Sequence, residues 1–187
     1  MRTVENGKAV SILGFRSIVV GNVNDFLKKV KTGVYPAAIQ MMDATRIAGK
    51  THLLFAFLNA QKSIDQGRAV SENLEMETLL YATGQHQISK AIEMLGVNPQ
   101  TSDVAAIIFA PNDEEVEEAE EKLGKLIRGV RDDDILCVKG RSKVEDLMKT
   151  FNVTKLELKT MAESSASVEE ALTWLIVEKV ALLAVRH

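Results

Sequence analysis

The chain has 187 residues, of which 46% are hydrophobic and 26% are charged, and its formal net charge is −3. These values are ordinary for one globular domain and argue against a largely disordered chain. No apolar run reaches the roughly 18 residues of a membrane span, and the single cysteine excludes an internal disulfide and a cysteine-rich zinc site. The first residues lack the apolar stretch of a signal peptide, so we expect a cytoplasmic protein with no membrane contact, folded as one domain over residues 1–187.

The first predicted elements are a strand and a short helix. Residues 9–20 are predicted to form a strand pair or a bent strand, because apolar residues alternate there and Gly14 permits a bulge. The helix that follows is predicted to be capped by Asn22 or Asn24 and to end at Gly33.

A strand and three closely spaced helices are predicted next. Residues 38–42 have the pattern of a strand, and residues 49–66 that of a helix. Ser71 is the expected cap of a second helix that ends at Gly84, and residues 87–95 are expected to form the third.

Strands and helices alternate again in the second half of the chain. The unbroken apolar run within residues 102–109 predicts a strand that is covered on both faces, and Asn112 is predicted to cap a long helix after it. Residues 135–138 suggest a short strand. Capping boxes that begin at Ser142 and Ser167 predict the last two helices. The fold class is therefore α+β, a single domain with a small mixed or antiparallel sheet packed against several helices.

Catalytic signatures are missing from the sequence. It has no glycine-rich phosphate loop, no nucleophile elbow and no zinc-binding pair of histidines, and His52, His86 and His187 do not have metal-ligand spacing. Asp132–Asp134 is interpreted as a solvated turn rather than a cation site, and Cys137 as a buried inert thiol. The sequence predicts no enzyme activity, no metal and no cofactor.

Two stretches depart from the pattern of an ordinary surface. In residues 171–185, twelve of fifteen residues are apolar, so the helix is apolar on most sides. It is either a central helix of its own domain or a helix partly covered by a second protein. The second stretch is the turn at residues 83–87, which leads into a helix N-terminus suited to phosphate. The basic residues expected around it are Lys50, His52, Lys62, Arg68 and Lys90. On these residues alone, a solvated helical corner is favoured over a nucleic-acid site.

Four motifs recur in and around these stretches. Residues 52–60 read HLLxAxxNA, residues 73–84 read NLxMExLLYATG, residues 87–96 read QIxxAIxxxG, and residues 178–183 read EKVALL. These motifs resemble the TPRKB-like family, the kinase-binding subunit of the KEOPS complex. The resemblance implies a non-catalytic, archaeal-type subunit with an α+β fold. It implies docking on the small atypical kinase of a complex that installs threonylcarbamoyl on a tRNA adenosine, with the chemistry in a separate transferase subunit that this chain contacts only indirectly.

The resemblance also implies that this subunit binds the single-stranded 3′ CCA end of tRNA. His86, Gln87 and Ile88 lie where the family has Arg-Gln-Ile, and a histidine lacks the permanent charge of arginine. Either the affinity for tRNA is lower here, or Lys50 and Lys90 supply the missing charge. The residues expected to bind tRNA are Lys50, His52, Gly84, His86, Gln87, Ile88 and Lys90.

The apolar C-terminal helix is, on this resemblance, the surface that faces the kinase. The residues expected at that interface are Leu172, Leu175, Val180, Leu182 and Leu183. Two other classes of function stay open, a small-molecule-binding or enzymatic domain with a pocket between sheet and helices, and an oligomerisation module.

Overall fold

The computed structural model describes residues 2–5 and 7–182, and the chain divides into two units. The first unit comprises Met1–Ala44 and Gly96–Ile135, and the second comprises Thr45–Leu95 and Leu136–His187. The described strands lie in the first unit with two helices, and the other six helices lie in the second. The α+β class is confirmed, whereas one domain over residues 1–187 stays a prediction.

An antiparallel sheet forms the centre of the first unit. Its order is β1-β2-β4-β3, and a fifth short strand, β5, also pairs with β2. The bounds are β1 Arg2–Glu5, β2 Lys8–Arg16, β3 Ala38–Asp43, β4 Val104–Ala110 and β5 Val130–Arg131. Every residue of β4 is buried, which confirms the prediction from its unbroken apolar sequence.

The first strand prediction is wrong in its details. β2 ends at Arg16, residues 18–20 are not in a strand, and the ladder with β4 runs through Gly14 without a bulge. The glycine is required for a different reason, because a Cβ on Gly14 would clash with the carbonyl oxygen of Asp132. The close approach of that loop to the strand therefore explains the glycine.

Helices α1 (Val23–Val34) and α5 (Asp113–Leu126) belong to the same unit. The predicted asparagine caps are confirmed, since Asn22 accepts a hydrogen bond from the Asp25 amide and Asn112 accepts one from the Glu115 amide. Gly33 does not end α1. It lies inside the helix, where a Cβ would meet the side chain of Leu126.

The second unit is helical. Its helices are α2 Gly49–Asp65, α3 Leu74–Thr83, α4 Ile88–Leu95, α6 Gly140–Thr150, α7 Lys155–Ala162 and α8 Val168–Ala181. Helices α6, α7 and α8 share a core of aliphatic residues with one phenylalanine, among them Leu147, Phe151, Leu172 and Ile176. No described helix is both long and apolar enough to cross a bilayer.

Several local predictions for this unit need correction. Asn73, not Ser71, caps α3, and α6 begins at Gly140 without a side-chain cap, so Ser142 does not open it. Residues 133–136 form a 3-10 helix where a strand was expected at 135–138. Ser167 does cap α8, because its hydroxyl accepts a hydrogen bond from the Glu170 amide. The Glu170 carboxylate accepts from the Ala166 amide rather than from the Ser167 amide of the predicted capping box. Helix α7 was missed, although Thr154 and Glu157 form a capping box at its start.

Candidate functional site

The turn between α3 and α4 is built on a left-handed glycine. Gly84 has φ 65° and ψ 27°, and the amides of Gly84 and Gln85 donate hydrogen bonds to carbonyls of the last turn of α3. A Cβ on Gly84 would lie 3.6 Å from Cα of Val180 in α8. Glycine adopts this positive φ without strain, and the turn packs directly against the last helix.

Replacing Gly84 with alanine should therefore destabilise the second unit. A non-glycine residue in the left-handed region costs roughly 1–2 kcal/mol, and the new methyl group gains only ordinary contacts with Val180. Urea unfolding of the Gly84→Ala chain should show this loss of stability. Gly124→Ala, inside α5 with nothing within 4 Å of its Cβ, is the control and should be neutral or stabilising.

Four of the predicted tRNA contacts lie together on the surface. His86, Gln87, Ile88 and Lys90 are all exposed at the start of α4. Ile88 and Ile92 are 40% and 47% exposed, and their i, i+4 spacing places them on one flank of the helix. Ile92 was not predicted to belong to this surface, although its four-residue spacing from Ile88 in the sequence indicates that the two side chains share a helix face. Lys50, in the first turn of α2, is partly buried.

His52 is fully buried and acts within the fold. Its Nδ1 accepts a hydrogen bond from the amide of Ala48 at 3.2 Å, so Nε2 carries the proton and donates to the carbonyl of Ala82 at 2.8 Å. Its ring also makes an edge-on contact with Phe151. Burial lowers the pKa of His52 from 6.5 to about 4, against an opposing effect of the Ala82 carbonyl. This side chain lies outside any surface that an RNA could touch.

Helix α8 has a wide buried face and a narrow exposed one. Leu172, Leu175 and Val180 are buried within the second unit, whereas Leu182, just after the helix, is 49% exposed. Leu183, also expected at the kinase interface, lies outside the described residues. The sequence left open whether this helix is covered by its own chain or by a partner, and most of its described apolar residues pack within its own unit.

The exposed face of α8 carries an aromatic residue that was not predicted from the sequence as a functional residue. Trp174 is 39% exposed and packs edge-on against Phe55 of α2, with 5.9 Å between the ring centroids. Glu170, Glu178 and Leu182 are also exposed, at four-residue intervals from Trp174. We call Trp174, Glu178 and Leu182 the outer face of α8. The four-residue spacing is present in the sequence. Because the residues around it are almost all apolar, the sequence does not indicate which side of the helix is exposed.

Two cavities border the turn at Gly84. The larger, of about 750 Å³, is a groove between α4 and α6 that we call the α4–α6 groove. It is lined by Thr45, Arg46, Gln85, Lys90, Glu93, Met94, Asp146, Lys149 and Thr150. The smaller, of about 300 Å³, shares Gln85, Met94 and Thr150 with it and extends to Lys179 and Leu182. The turn and the end of α8 therefore share one region of surface.

The aspartate run at 132–134 is engaged within the first unit. Asp132 lies 2.7 Å from Arg16, and Asp133 lies 2.7 Å from Arg131 and accepts a hydrogen bond from the Gly14 amide. In the part of the chain that the structure describes, no group of three metal-ligating side chains is found.

The sequence matches the model of a known protein family. The model of the family described as kinase binding protein CGI-121 matches residues 17–184. The chain belongs to this family. The CGI-121 match includes α8 and the turn at Gly84, and it confirms the resemblance stated from the motifs. A search of the curated proteins finds no match.

Proposed function

We propose that this CGI-121 chain is a non-catalytic, cytoplasmic subunit of the KEOPS complex, docked directly on its small atypical kinase and only indirectly connected to the transferase subunit. In this proposal it also holds the 3′ CCA end of the tRNA whose adenosine is threonylcarbamoylated. The family match over residues 17–184 carries the kinase-docking part. The exposed residues around Gly84 support the RNA-binding part.

The outer face of α8 is the best candidate for the kinase contact. Trp174 and Leu182 expose apolar surface beside the carboxylate of Glu178, and tryptophan is among the residues that dominate interface energies. The opposite side of α8 packs in the core of the second unit and so fixes the position of this face. Its buried side chains include Leu172, Leu175 and Val180. We expect Trp174 and Leu182 to contact the kinase and the buried leucines to keep them in position.

A charge on this face should weaken kinase binding without unfolding the protein. Trp174→Glu and Leu182→Glu should each lower the affinity at least tenfold, because an unpaired carboxylate would be desolvated in the interface. Val130→Glu, at a 64% exposed position of the first unit, is the control. Isothermal titration against the kinase gives the affinities, and circular dichroism checks the fold. Affinities equal to that of the control would exclude the outer face of α8 as the interface.

The exposed start of α4 is the best candidate for the RNA contact. A flexible single-stranded end is recognised through stacking and hydrogen bonds to free base edges, more than through groove reading. His86 offers a ring, Gln87 an amide and Ile88 an apolar contact, all exposed within three consecutive residues. Lys50 and Lys90 are expected to contact phosphates.

Ile88→Glu should reduce tRNA binding strongly, because it replaces an apolar contact by a charge that repels phosphate. We expect a loss of about tenfold or more, the size of a lost base stack plus a like charge. Leu156→Glu, at a 75% exposed position of α7, introduces the same charge elsewhere in the second unit and is the control. Filter binding of radiolabelled tRNA measures both. A Kd for Ile88→Glu that matches the control would remove α4 from the RNA site.

The rival function, a small-molecule-binding or enzymatic domain, was expected to have its pocket between sheet and helices. The α4–α6 groove lies between two helices instead, and its volume is within the usual range for ligand sites. Its lining contains carboxylates, lysines and threonines but no histidine or cysteine. A turnover that survives repurification and is lost with one substitution in this groove would favour the rival.

A further inference from the structure

Another groove of the second unit lies along α7. Its volume is about 490 Å³, and we call it the α7 groove. Residues of α7 and Glu163, just after this helix, supply most of its lining, and Met148 of α6 and Val168, the first residue of α8, complete it. None of the lining residues belongs to the outer face of α8 or to the exposed start of α4. The groove is therefore separate from the kinase and RNA contacts proposed above.

One wall of the α7 groove is apolar. It is formed by Met148, Leu158, Ala162 and Val168. Val168 is 45% exposed, so the groove is open to solvent along this side. Pockets for small molecules bury most of their ligand, whereas an open groove suits a helix that keeps one face in water. Apolar surface also continues beyond the groove at Leu156, which is 75% exposed on the adjacent flank of α7, as expected of a surface that binds protein.

Two lysines of α7 add positive charge to this groove. Lys155 and Lys159 are exposed and four residues apart, so their side chains lie on one side of the helix. In the part of the chain that the structure describes, neither lysine forms an ion pair with a carboxylate. The acidic residue between them, Glu157, instead pairs with Lys179 of α8 at 2.8 Å. Both ammonium groups are thus available to carboxylates of a partner.

The charge changes along the groove. Glu163 lies eight residues beyond Lys155, which corresponds to roughly 12 Å, or about two turns of helix. A nucleic acid is a poor match, because its phosphates gain nothing from the apolar wall and are repelled by Glu163. A helix with both apolar and acidic side chains matches the wall and the two lysines together.

The acidic helix of this chain does not have the required form. α5 has three acidic residues in its first turn, but its apolar side chains Val116, Ala119 and Leu123 are buried in the core of the first unit. A second copy of the chain would therefore offer carboxylates from α5 without apolar side chains beside them. The complementary helix has to come from another protein.

We propose that the α7 groove docks an acidic amphipathic helix of a second protein, at a site separate from the kinase contact. Apolar side chains of that helix, at four-residue spacing, lie against Leu158, Ala162 and Val168. Its carboxylates pair with Lys155 and Lys159. About two turns of the helix occupy the groove.

The first test measures the binding of three labelled peptides to the full chain by fluorescence anisotropy. The acidic peptide is an alanine-rich helix of about 20 residues, long enough to be helical in water, with leucines at four-residue spacing on one face and glutamates beside them. The second peptide has lysines in place of the glutamates, and the third has the composition of the acidic peptide in scrambled order. The acidic peptide should bind about tenfold more tightly than either, because it alone offers an apolar face with carboxylates beside it.

Reversing the charge of the groove should reverse the preference between the first two peptides. The double variant Lys155→Glu, Lys159→Glu should bind the acidic peptide about tenfold more weakly than wild type does, and the lysine peptide more tightly. The double variant Lys28→Glu, Lys29→Glu, at exposed positions of α1 in the first unit, changes the net charge by the same amount and is the control. It should leave the ratio of the two affinities close to that of wild type.

The apolar wall is tested with Val168→Asp, which should not harm the fold. Val168 is the first residue of α8, where a carboxylate interacts favourably with the helix dipole. The variant should keep the thermal stability of wild type and bind the acidic peptide about fivefold more weakly, because a like charge replaces an apolar contact. Val19→Asp, at an 84% exposed position of the first unit, is the control and should leave this affinity unchanged.

Three results would overturn this docking site. They are equal binding of the acidic peptide and its scrambled form, an unchanged preference in Lys155→Glu, Lys159→Glu, and failure of wild type to bind the acidic peptide. Displacement of the acidic peptide by the kinase would also overturn it, by assigning the α7 groove to the kinase contact. The proposed function would stand in the first three cases, because Trp174→Glu and Ile88→Glu test it on other surfaces.

Discussion

Leu172→Glu is expected to unfold the helical unit. Leu172 is fully buried in the core shared by α6, α7 and α8, with Leu147 and Ile176 among its members. Removing a buried leucine costs about 2–5 kcal/mol, and an unpaired buried carboxylate adds to that cost. The total stability of a domain is roughly 5–15 kcal/mol, so this one substitution removes much of it. Thermal and urea unfolding followed by circular dichroism measure the loss.

This expectation separates the two parts of α8. Leu172→Glu should abolish kinase binding together with the fold, whereas Leu182→Glu should reduce kinase binding in a folded protein. A Leu172→Glu chain with native stability would contradict the burial of α8 in the second unit. The comparison also prevents a folding defect from being interpreted as a lost interface.

Lowering the pH from 7 to 4 is expected to remove about 3 kcal/mol from the free energy of unfolding through His52 alone. The folded pKa is lowered to about 4 from the ordinary 6.5, so the unfolded chain binds more protons between these values. The contribution of His52 is therefore complete above about pH 6.5. It is lost as the pH falls towards 4, where the buried imidazole must take up a charge.

The effect of His52 can be separated from that of other groups with His52→Gln. Urea unfolding at a series of pH values should show a steeper decline for wild type than for the variant between pH 6.5 and 4, and the same slope above pH 7. In wild type, the NMR resonances of the His52 ring should not titrate at pH 5.5 or above. Parallel curves for the two proteins, or a ring that titrates near pH 6.5, would contradict the buried neutral imidazole.

Elements with strong local signals were predictable from the sequence. Asn22, Asn112 and Ser167 cap their helices as expected, because a side-chain cap depends on residues only three positions apart. β4 was predictable for a similar reason, since a strand buried along its whole length has a continuous apolar sequence.

The wrong predictions concern residues whose role is determined by tertiary contacts. Gly14 and Gly33 were interpreted as backbone signals, but each is needed because another side chain or loop comes close. The burial of His52 was not predicted for the same reason, because its partners Ala82 and Phe151 lie 30 or more residues away in the sequence. For the candidate site, the exposed turn and Lys90 could be predicted from local sequence. Arg46 and Lys149 could not, because only folding brings α6 beside α4.

In the proposed function, this chain holds the 3′ end of tRNA through the surface around Gly84. The most direct test is the affinity of the full chain for three molecules, an intact tRNA, the same tRNA without its terminal CCA, and a tRNA with an altered anticodon loop. Trimming the CCA should remove most of the binding, and changing the anticodon loop should leave the affinity nearly intact. Equal affinity for the intact and the trimmed tRNA would contradict the account.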